Sequence, residues 1–210
     1  MSYKIDILKC GRTQSPGPEL FWMSDWDQTY PLNVYIYVVR GEDRTILVDT
    51  GLRDLNEINP MCVPSSSQFS IEPGEDTVSV LQSQGIKPED VTDVIPTHFH
   101  YDHISNVKLF KKAEIFASKR GFLNVAAPKH PQLAPPVAFP KDVVSYMIEE
   151  AWERVHLINE EEIYPGITIF WTGGHTPGNQ AISIKTDKGI VTITGDVVFF
   201  YRNIEENIPA

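Results

Sequence analysis

Cysteine, histidine and basic side chains are scarce in this sequence, and long apolar runs are missing. Two cysteines, Cys10 and Cys62, occur in 210 residues. Neither belongs to a CxxC pair, so two reduced structural thiols are expected; a lone disulfide would be unusual in a reducing compartment. No stretch approaches the ~18 apolar residues that a membrane span needs. The opening MSYKIDILKCGRTQ lacks the apolar centre of a signal peptide. Neither secretion nor membrane insertion is expected, and the expected location is cytoplasmic. Lysine and arginine number 18 against 28 aspartates and glutamates, a net charge of −10. Nucleic acid and anionic membrane are both disfavoured as partners, because each calls for a basic patch. The acidic excess serves solubility.

With 41% apolar and 22% charged residues, the composition is that of a globular chain. The length fits one domain, and no linker divides residues 1–210. YKIDILKC reads as a first strand. NVYIYVVRG and TILVDTG flank a polar turn and read as a β-hairpin. Residues 74–84 read as a helix closed by Gly85, and TDVIPT at 92–97 as a short buried strand. A short helix over 104–111 and a strand at AEIFAS follow. Five prolines in AAPKHPQLAPPVAFP, residues 126–140, make an ordered loop or a lid. A helix is expected at 141–153, with Val144, Met147, Ile148 and Ala151 packing as one stripe. VHLIN, GITIFWTGG, AISIKTDKG and IVTITGD complete the strands. TILVDTG and IVTITGD echo each other, each a hairpin's second strand ending on an aspartate. The class is α/β, with layered sheets flanked by helices.

Half of the six histidines crowd into THFHYDH, residues 97–103. In an extended chain alternate side chains share a face, so His98, His100 and Asp102 converge while His103 points elsewhere. Imidazole and carboxylate together are ligands for zinc, iron or manganese. The segment looks like two adjacent metal sites sharing one stretch of chain. Two metals need more ligands than it holds. His175, in the glycine-rich turn GGHTPG, and Asp196, closing the strand at TGD, are the candidates. A carboxylate such as Asp196 can bridge two metals. Turn capping is the competing reading for Asp49 and Asp196. His130 and His156 are read as non-ligands.

HFHYDH resembles HxHxDH, the signature of the metallo-β-lactamase superfamily. LVDTG (47–51), GGHTPG (173–178) and TGD (194–196) match three more of its motifs in the family's order. The resemblance spans residues 30–200. It implies a four-layered αβ/βα sandwich with the site at one edge of the paired sheets. It implies one metal on His98, His100 and His175, a second on Asp102 and His103, Asp196 bridging them, and Asp49 supporting the site from behind. Two zinc ions are expected, with iron or manganese as alternatives. The implied activity is a hydrolase in which a bridging hydroxide attacks an ester carbonyl, and Asp102 steers a proton to the leaving group.

PELFWMSDWDQTYPLNVYIYVVRGEDRTILVDTG and GDVVFFYRNIEENIP are similar to segments of the N-acyl-homoserine lactonase branch. The expected substrate is therefore a lactone or a related small ester, and a homodimer is possible. Lactonases of that branch carry a substrate-contacting tyrosine three residues past the bridging aspartate. Here that position is Phe199, which has no hydroxyl to donate, and Tyr201 is the candidate to stand in. The glycine pair usual after the signature is Ser105 and Asn106. The resemblance further implies a last histidine ligand and a closing helix, so the chain is expected to lack the C-terminal end of the family's domain. Phe21, Trp22, Trp26, Tyr30 and the prolines of 128–140 are expected to wall and cover the pocket. Alternatives are a thioester hydrolase of the glyoxalase II type and an iron-dependent persulfide dioxygenase.

Overall fold

The computed structural model describes residues 2–62, 67–135 and 138–210. Two sheets face each other. The first runs in the order β1 (Lys4–Pro16), β2 (Thr29–Gly41), β3 (Arg44–Val48), β4 (Asp93–Ile95), β5 (Glu114–Ser118), β6 (Val155–Ile158). Its first three strands are antiparallel, and β3 to β6 are parallel. The second runs β10 (Gly189–Ile193), β9 (Gln180–Thr186), β8 (Ile167–Trp171), β7 (Glu161–Tyr164), antiparallel throughout.

Strand alternation sorts the first sheet's side chains between two cores. Ile36, Val38, Leu47, Val94 and Ile115 join the helical side. There they meet Leu81 of α3 (Thr77–Ser83), Phe122 of α5 (Lys119–Ala126) and Met147 of α6 (Lys141–Glu149). Val39, Ile46, Val48 and Ile95 face the other way and meet Ile167, Ile169, Ile182 and Ile184 of the second sheet. Helices, sheet and sheet stack as three of the four layers expected of the αβ/βα sandwich; among the described residues Ile190 and Val191 on β10 of the second sheet are exposed. No helix is long and apolar enough to cross a membrane among the described residues.

Several expectations hold. Asp76 caps α3 through its carboxylate on the Ser79 amide, and the two echoing segments are the second strands of the β2–β3 and β9–β10 hairpins. Others change. The first strand extends to Pro16, because it pairs along nearly the whole of β2. Short helices α1 (Gly17–Leu20), α2 (Leu55–Ile58) and α7 (Tyr201–Glu205), and strand β7, were not foreseen. The helix at 141 stops at Glu149, so Ile148 is half exposed while Val143 and Tyr146 take buried positions beside Val144 and Met147. The helix expected at 104–111 instead occupies Tyr101–Ile104 (α4), with a single 3₁₀ turn at Val107–Leu109. Cys10 is buried and Cys62 half-buried, both as free thiols; burial pushes Cys10 up to about 12.

Strand ends position the site. Parallel strands β3 and β4 end at one edge, where Asp49 and Thr97-His98 follow. From the second sheet, β8 leads into GGHTPG and β10 into TGD at the same edge. β2 outruns β3, which pairs only with Tyr37–Gly41. The rest of β2, paired with β1, overhangs that edge as a two-stranded wall.

Candidate metal centre

His98 follows β4 and is fully buried. Its protons can be traced from the Asp49 end. The Asp49 carboxylate accepts the Thr97 amide at 2.6 Å and the Thr97 hydroxyl at 3.0 Å. The Thr97 oxygen in turn takes His98 Nδ1–H at 3.0 Å. That leaves a lone pair on His98 Nε2, which is buried with no hydrogen-bond partner. An unsatisfied buried nitrogen costs about 1–3 kcal/mol unless something fills the place in front of it.

His100 and His175 supply that neighbourhood. The three rings stand edge to face, with centroids 4.7 to 4.9 Å apart. His100 Nδ1 and His175 Nε2 are 2.9 Å apart. Donor atoms of His98, His100 and His175 all lie within 4.8 Å of one another. Burial lowers all three pKa values, with His100 down to about 4, and neighbouring imidazoles reinforce the shift. Neutral imidazole is the form that binds a metal.

His103 corrects the reading from alternation. Because α4 starts at Tyr101, its side chain swings back into the site instead of away from it. His103 donates Nδ1–H to Asp49 Oδ2 at 2.9 Å, which aims Nε2 at Asp102 Oδ2 and Asp196 Oδ2, each 3.4 Å away. Asp196 Oδ2 is also 3.6 Å from His175 Nε2, so this carboxylate stands between the two histidine groups. Donor atoms of His98, His103 and Asp196 form a second set within 4.8 Å of one another. Burial opposes charge on His103, but Asp196, Asp102 and Asp49 overcome it and hold the imidazole well above its usual range. Burial likewise opposes charge on Asp102 and Asp196, and His103 overrides it and keeps both carboxyls low. Three carboxylates around one imidazolium leave the pocket short of positive charge. Neutral imidazoles, surplus carboxylate and the bare His98 nitrogen fit a divalent cation.

The His175 turn is held by close backbone packing. A Cβ on Gly178 would lie 2.1 Å from Gly121 Cα, at the start of α5. Trp171 Nε1 donates to the Pro177 carbonyl at 2.9 Å, and the Arg120 guanidinium lies 3.9 Å over the Trp171 ring. Gly178→Ala is expected to cost about 2 kcal/mol by overpacking, a fall of roughly 4–8 °C in melting temperature. An unchanged melting temperature would show that the two backbones do not meet. Asn179 and Gln180 were not anticipated. Asn179 Nδ2 donates to the Thr194 carbonyl, tying this turn to the Asp196 segment, and Gln180 Nε2 donates to the Pro96 carbonyl, tying it to β4. A polar pair opening the otherwise apolar strand NQAISI was the available signal.

The site floors a cleft of about 830 Å³, within the ~300–1,000 Å³ usual for small-molecule pockets. Trp22, Leu32, Val34, Val198 and Phe199 contribute apolar wall. Of the four aromatics expected there, Trp22 lines the cleft. Phe21 is buried against Tyr30 and Phe200, and Trp26 is exposed. The proline-rich segment is not a lid among the described residues. It packs behind the site, where Phe139 lies 4.7 Å from the His100 ring and the Ala138 carbonyl accepts the Tyr101 amide. Phe199 faces His175 with ring centroids 5.9 Å apart. Tyr201 is 84% exposed and outside the cleft, because the chain turns into α7 at that residue and does not stay extended. The structure therefore does not bring Tyr201 to the site. His130 is exposed, and His156 pairs with Glu114 at 2.6 Å, both away from the cluster.

The family pattern described as the metallo-beta-lactamase superfamily matches residues 29–209. An N-acyl homoserine lactonase of Bacillus cereus is 29% identical over 184 residues, covering 85% of this chain and 69% of that protein. One from Bacillus thuringiensis is 27% identical over the same extent. Among solved structures, an N-acyl homoserine lactone hydrolase holding N-hexanoyl-L-homoserine at its catalytic metal centre superposes with a TM-score of 0.82 at 22% identity. That match covers 100% of this chain and 82% of the other. The dizinc quorum-quenching lactonase AidC gives 0.63 at 18% identity, covering 93% and 72%. The superpositions reproduce the fold, and the family pattern takes in every histidine and aspartate of the cluster; the chain belongs to the metallo-β-lactamase superfamily, in its lactonase-like branch.

Proposed function

We propose that the protein is a metal-dependent hydrolase that opens a lactone or a related small ester. The observation carrying this reading is the convergence of His98, His100, His175, His103, Asp102 and Asp196 at the floor of one cleft, around a buried and unpartnered imidazole nitrogen. The likeness to N-acyl homoserine lactonases over 85% of the chain supports the substrate class.

His98, His100 and His175 would hold one divalent ion, Asp102 and His103 a second, with Asp196 between them. Zinc suits these ligands, as do iron and manganese. Such ions would supply Lewis acidity toward an ester carbonyl and would lower the pKa of water in the site toward neutral. The remaining work falls to the chain. Trp22, Leu32 and Phe199 give a neutral substrate an apolar seat and exclude bulk water from it. Asp102 lines the cleft, placed to carry a proton to the leaving alkoxide. Asp49 stays behind, orienting His103 and Thr97.

Proton release from a panel of neutral lactones, with an S-acyl glutathione alongside, tests the reading. The zinc-loaded protein is expected to open lactones, to lose that activity to a chelator and to regain it with zinc. Thioester turnover without lactone turnover would move the protein to the glyoxalase II type. Oxygen consumption by an iron-loaded sample would move it to the dioxygenase.

A further inference from the structure

Tyr37 belongs to none of the metal-binding motifs, yet it reaches the cleft. Register pairs it with Val48, the residue before Asp49. Val39 and Val48 point into the core between the sheets, and Tyr37 shares their face. Its ring packs against that core, while the side chain lines the cleft together with Asp49 and Asp196. The ring is thus anchored where it lies, which is what a preorganised donor requires.

Its hydroxyl is uncommitted. Those of Tyr30, Tyr35, Tyr101, Tyr146 and Tyr164 all have protein partners, and that of Tyr37 has none among the described residues. Two threonine hydroxyls of the cleft are occupied. Thr194 Oγ1 donates to the Gly195 carbonyl and Thr13 Oγ1 to the Ser67 carbonyl. Phe199 also lines the cleft, against His175, and offers no donor. Burial, with the Asp49 charge adding to it, pushes the Tyr37 phenol up to about 12, so it keeps its proton at any working pH.

An ester carbonyl gains negative charge as it is attacked, and a fixed donor aimed at that oxygen lowers the barrier. We propose that Tyr37 is a catalytic residue of this cleft, donating its phenolic hydrogen bond to the acyl oxygen of the substrate. This rests on the hydrolase reading above. It places the donor on β2, at its last pair with β3, and leaves position 199 to apolar contact.

Tyr37→Phe keeps the ring in its core and removes only the hydroxyl. In the full-length, zinc-loaded protein, kcat on a neutral lactone is expected to fall about tenfold, the worth of one neutral hydrogen bond. KM, zinc content and melting temperature are expected to stay at the parent's values. Phe199→Tyr added to that variant is expected to recover part of the lost kcat by returning a phenol to the cleft. Full parental activity in Tyr37→Phe would overturn the inference while leaving the hydrolase reading intact. A loss that tracks falling zinc content or melting temperature would overturn it too, by showing a structural role. A parent protein inert toward lactones and small esters alike would overturn the proposed activity and this inference with it.

Discussion

Replacing His98 with alanine is expected to cut turnover by on the order of 1,000-fold or more, and to erase the rise in melting temperature that zinc gives the parent protein. His98 would hold the first ion, and its buried, unpartnered Nε2 is the nitrogen that ion would satisfy, so its loss removes a ligand from the most enclosed part of the site. A Lewis acid contributes several kcal/mol to a developing negative charge, and about 4 kcal/mol corresponds to that fold-change. Zinc at a hundred times its dissociation constant stabilises the parent by about 2.7 kcal/mol, worth roughly 5–10 °C in a chain of this size. The metal-free comparison gives the test its edge. In the absence of metal, His98 Nε2 is buried without a partner. Alanine removes that unsatisfied nitrogen, which offsets part of the cost of the cavity it leaves. Metal-free variant and metal-free parent are therefore expected to melt close together and to diverge only when zinc is added. A variant that keeps both the zinc-dependent rise and most of the activity would make His98 an ordinary core histidine.

The ligand types were legible in the chain, and their directions were not. Alternation along an extended segment picks out His98, His100 and Asp102, but the chain bends over residues 97–100 and Asp102 already lies in α4, so their convergence comes from the bend and the helix start. Alternation misses His103, because the chain becomes helical at Tyr101 and a helix turns successive side chains by a different angle. The same error, run in the same direction, put Tyr201 near the substrate. The Asn203 side chain accepts the Phe200 amide and starts a helix that carries Tyr201 outward. Long-range partners were out of reach. Thr97 finds Asp49 across 48 positions, and Gly178 meets Gly121 across the gap between the His175 turn and α5. The place of Tyr37 at the cleft depends on the β2–β3 register, which sets it against Val48 at the end of β3, next to Asp49. The proline-rich segment was read from its own composition as loop or lid. Nothing in that composition says which side of the site it packs against.

Asp49 is where support and chemistry meet, and its substitution carries the second large expected effect. The residue sits at φ +62°, a left-handed conformation that aspartate and asparagine tolerate better than alanine. One buried carboxylate there accepts the Thr97 amide, the Thr97 hydroxyl and His103 Nδ1–H. Asp49→Ala strands all three donors and breaks a buried pair, at an expected cost of about 3–5 kcal/mol, read as a fall in melting temperature of roughly 6–20 °C. Asp49→Asn separates brace from chemistry. Its amide oxygen still accepts from Thr97 and its backbone still fits, so most of the stability remains. Its amide nitrogen, however, now faces a ring nitrogen that needs an acceptor. A neutral, metal-binding His103 must then carry its one proton on Nε2, the atom aimed at Asp102 and Asp196. A proton there competes with a metal, and a lost tether of this kind lowers metal affinity by about 10–100-fold. Zinc titration of the asparagine variant, followed by calorimetry, decides between the two roles. A stable variant with weakened zinc binding makes Asp49 the residue that sets the tautomer of His103. A stable variant with parental affinity makes it a brace for the turn after β3, and returns the orientation of His103 to the packing of α4.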